Sequence, residues 1–302
     1  MTQQTVINQK MFEGAVLFSL TLHCWRNEHR ASIEKLNIEG DKKRHKHKIV
    51  LIESKEYDAI TRYMDKAKVW VMDRCVRSYL ENGLFAVKLD MVDEIDGYLR
   101  DANKALKEGF IPTLLDGYEA AKERSRTDGE LGRFYREEDY PTAQELATLF
   151  SFEWRWITLE VAKDLPPEIR KREIIKMKQA IADAQAEIIR ALREGFGEVV
   201  KRMIERLGKE DDGTPKKFKD TLIENFNDFF ETFDARNLMN DAELAAVVAN
   251  AKSILKDVQP DLLRKNMTMR GKVRTAMAEV KETVDELIQD APVRRKLNFE
   301  ED

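Results

Sequence analysis

Seven consecutive residues, Lys42 to Lys48, comprise four lysines, one arginine and two histidines, and an apolar run, Ile49 to Ile52, follows at once. Three chemistries fit this composition. His45 and His47 alternate and would share one face of a strand, as paired metal ligands must. However, Lys42, Lys43, Arg44, Lys46 and Lys48 around them would repel a divalent cation, and two imidazoles alone do not complete a ligand set. Phosphate contact is the second reading, since five fixed positive charges can each contribute salt-sensitive affinity. The third is a solvated turn, with Gly40 and Asp41 supplying the bend between one strand and the next. Charge runs are common and unspecific, which favours the turn. Neither a metal nor a cofactor is expected.

A second candidate set lies in SFEWRWITLEV, Ser151 to Val161. Alternation places Phe152, Trp154, Trp156 and Thr158 on one face of a strand and Arg155 on the other. Such aromatics can form a base-stacking platform in single-strand binders. Rings of this size more often bury themselves against a covering helix, and that reading is favoured. Trp154, Arg155 and Trp156, with the five basic residues, make up the candidate nucleic-acid-binding set. Signatures of catalysis are missing: there is no GxSxG, no GxxxxGK[ST], no HExxH and no GxGxxG between a strand and a helix. Gly195 and Gly197 fall inside a helical pattern, where they mark close packing or an irregularity. The expectation is a protein that is not an enzyme and lacks a deep polar pocket.

The elements that would position these residues follow from periodicity. Val16, Phe18, Leu20, Leu22 and Cys24 alternate with Leu17, Ser19, Thr21 and His23, the period of a half-buried strand. Together with Ile49–Ile52 and the Trp154 segment, this gives a small antiparallel sheet. Tyr57, Ile60, Met64, Ala67, Val71 and Cys75 recur at helical spacing, as do Val92, Ile95, Leu99, Ala102 and Leu106 up to Pro112, where a kink or break is expected. Behind Pro166 and Pro167, Ile174, Met177, Ile181, Ala184 and Ile188 begin a stripe that drifts on to Leu207. At about 1.5 Å per residue, Glu168 to Leu207 would be roughly 60 Å of helix, too long to stand uncovered. Asp90 to about Lys122 is its expected antiparallel partner in a coiled-coil-like hairpin.

The fold class is therefore α+β and predominantly helical. Residues 1–208 hold the sheet and the hairpin, 209–215 a linker or turn, 216–290 a C-terminal helical unit and 291–302 a charged tail. The chain has 52 basic and 56 acidic residues among 302, for a net charge of -4, which argues against a protein that is basic throughout and wraps duplex DNA. Two cysteines without CxxC spacing fit a reducing cytoplasm. The apolar run Ala15–Leu22 is too short to cross a bilayer, so no membrane association is expected.

The segments FSLTLHCWRNEHRAS, KIVLIESKEYDAITRYMDKAKVWV and GLFAVKLDMVDEIDGYLRDANKALKEGF, followed by the arm after LPPEIR, resemble an uncharacterised family of phage and mobile-element proteins, domain of unknown function thirty-one-fifty. The resemblance covers roughly Phe12 to Leu207 and is one of pattern more than motif. It implies an accessory role beside a MoxR-type AAA ATPase and supplies no active-site residues. The function expected is a self-associating, non-enzymatic interaction or assembly protein. The alternative is single-stranded nucleic-acid binding or annealing.

Overall fold

The computed structural model describes residues 14–30, 48–127 and 131–290. Lys42, Lys43, Arg44, Lys46 and both histidines of the basic cluster lie outside the described residues, as does the tail from 291. Strands are β1 (Ala15–His23), β2 (Glu28–Arg30), β3 (Lys48–Val50), β4 (Val76–Arg77), β5 (Phe85–Lys88) and β6 (Ser151–Ile157). Helices are α1 (Lys55–Met72), α2 (Val92–Ala105), α3 (Ile111–Thr127), α4 (Ala143–Leu146), α5 (Pro167–Arg206), α6 (Thr221–Arg236), α7 (Ala242–Leu255), α8 (Pro260–Lys265) and α9 (Met267–Gln289). The protein is α+β and predominantly helical, with a four-stranded antiparallel sheet in the order β4-β5-β1-β6 and a two-stranded β2-β3 ladder.

The chain forms two compact units, one of residues 1–19, 73–92 and 156–302, the other of residues 20–72 and 93–155. In the first, β1 pairs with β5 from Ala15↔Lys88 to Phe18↔Phe85. β1 is a central strand, not the half-buried one its alternation suggests. Phe18 and Leu17, on opposite faces, are both buried, Phe18 against Trp156 and Leu17 among Ala86, Ala184, Ile188 and Leu238.

A larger core in the same unit gathers the second half of α5 with α6, α7, α8 and α9. The long helix spans 40 residues, as its stripe predicts. Its partner differs from the expected one: α9, antiparallel, covers it from Arg193, near Leu287, to Leu207, near Arg270. The expected partner, Asp90–Lys122, belongs from Asp93 onward to the other unit and packs with α1 there. Both arms carry matching apolar stripes, and spacing alone does not specify which stripe meets which. α9 approaches α5 closely at Gly197, where an added Cβ would sit 3.3 Å from Val284 Cγ1.

Two buried arginines tie this unit together. Arg193, 8% exposed at its side chain, donates to Asp241 (Nε–Oδ2 2.7 Å, Nη2–Oδ1 3.1 Å), to Glu243 and to the carbonyl of Leu287. Asp241 is also the N-cap of α7, accepting from the Leu244 amide at 3.1 Å. Arg270, 4% exposed, has no carboxylate partner among the described residues. Instead it donates to the carbonyls of Arg206 (2.8 Å), Leu207 (3.0 Å), Gly208 (3.2 Å) and Lys216 (2.6 Å), closing the C-terminal end of α5. That end carries partial negative charge, and the Phe218 ring 5.3 Å away adds its electron-rich face. The segment 209–215 is a turn held by a bridge between Lys209 and Pro215.

In the second unit, backbone groups of Leu51 and Ile52 are satisfied by side chains. Asn27 donates to the Ile52 carbonyl (2.7 Å) and accepts its amide (2.9 Å), while Ser125 and Tyr140 both donate to the Leu51 carbonyl. Ile60, Met64, Ala67 and Val71 form the buried face of α1, as their spacing predicts. Pro112 does not break the helix. A π-helical turn at Leu106–Phe110, with the Ile111 amide donating to Leu106, precedes it. The wider turn absorbs the irregularity that the proline ring and its missing amide impose.

Candidate functional site

Lys48 is the one member of the basic cluster among the described residues. Its ammonium lies 2.6 Å from Glu28 across the β2-β3 ladder, and both side chains are well exposed, so the pair contributes little to stability. Arg155 is exposed too and donates to Glu153 Oε1 at 2.6 Å, and Glu153 also lies 3.0 Å from His23 Nε2. Arg155 first, then His23, hold the Glu153 carboxyl below the usual glutamate range.

The aromatic face of β6 meets α2 within the second unit. Asn103 donates to the Phe152 carbonyl (2.9 Å) and accepts its amide (2.8 Å), imitating a neighbouring strand. Phe152 is buried, and the half-buried Trp154 donates its indole N–H to Asp96 Oδ1 at 2.7 Å. Trp156, in the other unit, rests its ring 4.8 Å from that of Phe18. Trp154→Phe, which keeps an aromatic ring and removes the N–H, is expected to lower the unfolding free energy by about 1–2 kcal/mol in a urea titration. An unchanged midpoint would show that the indole hydrogen bond does not hold β6 to α2.

Sequence reasoning missed a cleft of about 300 Å3 in the first unit, lined by both polar and apolar side chains. Asp73, Arg202, Asn225, Asp228 and Arg236 converge there. Helical spacing carried a usable signal: Asn225, Asp228, Thr232 and Arg236 recur at three and four along α6, a polar stripe beside its phenylalanines. Arg236 is half-buried, with its guanidinium carbon 5.5 Å from the Phe229 ring centre. Burial pulls its pKa below the usual arginine value, and Asp73 opposes that shift. Burial likewise raises the Asp73 carboxyl, against the pull of Arg236 and Arg74. The lining hydroxyl, Thr232, is spent on the Asp228 carbonyl at 2.9 Å. Two guanidinium groups and two carboxylates make a cleft suited to binding a polar group.

Among the described residues no three His, Cys, Asp or Glu side chains are grouped to hold a metal, and no helix is long and apolar enough to cross a membrane. Cys24 is a free, exposed thiol, and burial pushes the Cys75 thiol up to about 12. No family model, no curated protein and no solved structure matches this chain, so the resemblance to the phage and mobile-element family rests on the quoted segments alone.

Proposed function

We propose that this chain is a non-enzymatic interaction protein that self-associates through the first half of α5. One observation carries the reading. From Pro167 to Asp183 the helix buries no side chain, although Ile174, Met177 and Ile181 share one face of it half-exposed, and Ile169 and Ile175, to either side of that face, are 38% and 61% exposed. That is about 25 Å of amphipathic helix with an apolar face toward solvent. Lys171 and Lys178 border this face along one edge, and Arg170 continues its line toward the N-terminal end.

The family resemblance supplies the setting of this proposal: a phage or mobile-element system in which the protein accompanies an AAA ATPase, in the cytoplasm. The free thiols of Cys24 and Cys75 support a reducing compartment.

Light scattering of the wild type across micromolar concentrations is expected to give a multiple of the chain mass, and Ile174→Asp with Met177→Asp is expected to return a monomer of unchanged helicity. A wild type that stays monomeric at every concentration, with no partner retained on an immobilised chain, overturns the reading.

A further inference from the structure

A groove in the second unit runs along α1 and α3 and is filled by no described part of the chain. Its larger section, about 660 Å3 and mainly apolar, lies beside the π-helical turn and is walled by Ala59, Ala105, Gly109 and Phe110. It shares Glu56 and Thr113 with a second section of about 360 Å3 that passes over Gly117 and Ala120. Small side chains leave the floor low enough for another backbone to approach, and a Cβ added at Gly109 would meet nothing within 4 Å.

The rim is acidic. Glu53, Glu108 and Asp116 stand along it without an ion pair among the described residues, against two cations, Lys55 and Arg124. The first half of α5 has the complementary character. Glu173 is taken by Lys176 and Arg172, while Arg170, Lys171 and Lys178 have no carboxylate partner among the described residues. Each chain thus presents an apolar groove with unspent negative charge and an apolar helix face with unspent positive charge.

We infer that the groove receives the first half of α5 from a second copy of this chain, with Ile174, Met177 and Ile181 entering the apolar section and Arg170, Lys171 and Lys178 meeting Glu53, Glu108 and Asp116. The inference rests on the self-association proposed above and names its acceptor. Such a contact is heterologous: the surface given differs from the surface received, and each copy has both, so one interaction builds a closed ring or an open chain. Complementary rims also set orientation and speed the encounter, and added salt weakens them.

The test uses full-length chains in a Cys24→Ser background, one carrying Gly109→Cys and the other Ile174→Cys. Mixed under mild oxidation, they are expected to give a covalent heterodimer on a non-reducing gel that neither reaches at the same yield alone. Gly109→Trp, whose Cβ meets nothing within 4 Å and whose ring would occupy the groove, is expected to raise the self-association Kd about tenfold or more with helicity unchanged. If the wild type self-associates while Gly109→Trp does so equally well, or the mixed chains fail to cross-link, the groove assignment falls and self-association stands. A monomeric wild type overturns both.

Discussion

Arg270→Met is expected to lower the unfolding free energy by about 3 kcal/mol. Methionine retains most of the aliphatic volume against Phe218, so the loss isolates the polar contribution of the guanidinium. Without it, the carbonyls of Arg206 and Leu207 at the end of α5 lose their donor, each at a cost of about 1–3 kcal/mol when kept from water. Gly208 is less affected because its carbonyl also accepts from the Lys216 amide at 3.1 Å. Arg270→Lys keeps the charge but replaces the planar fork by one compact ammonium that cannot serve four carbonyls, and an intermediate loss is expected. Urea titrations of the three proteins check this. A loss under about 1 kcal/mol for the methionine variant would mean that water satisfies the helix end.

Arg193→Met is expected to cost about 3–5 kcal/mol near neutral pH, because it strands the Asp241 carboxylate in a buried site. The penalty should depend on pH in a definite direction. In the wild type, burial alone would raise the Asp241 carboxyl, but Arg193 and the Leu244 and Glu243 amides outweigh it and hold the pKa below the usual value. That stability is present above the ordinary aspartate pKa of about 3.9 and is lost as pH falls through the depressed value. Remove the guanidinium and burial dominates, so the folded carboxyl is raised. The variant then loses stability as pH climbs from about 4 through that raised value. The gap between wild type and variant is therefore widest near neutrality and narrows on acidification. Adding Asp241→Asn, which still caps α7, is expected to recover most of the loss. Equal gaps at both ends of the pH range would remove Asp241 as its origin.

The long helix, the buried face of α1 and the α+β class were legible because each rests on a period carried by many residues. β2, β4 and β5, with three, two and four residues, are too short to display one. The partner of α5 was not legible for a different reason. Two arms with equivalent stripes compete on paper, and what selects α9 is local: the gap at Gly197 and the two arginines at either end of the contact. Those arginines did leave a trace. Arg270 stands three before Val273 and Arg193 three before Phe196, each at an interior position of an otherwise apolar stripe. A cation at such a position signals a buried partner, and it reads as a solvated residue only when the stripe is ignored. The cleft was hidden because Asp73 and α6 are far apart in the chain.

The two units interleave along the chain: the second is complete once residue 155 has been made, whereas the first needs β1 from the beginning and α5 to α9 from the end. On a ribosome, which extends the chain at about 5–20 residues per second, β1 and β5 emerge long before the helices that bury Leu17 and Ala86 exist. For that interval an apolar strand pair waits, open to pairing with another nascent chain, while the inserted unit can already close. Synthesis therefore imposes an order on folding that neither unit would require alone, and the late arrival of Ala184 and Ile188 sets the moment at which the earliest strand becomes protected.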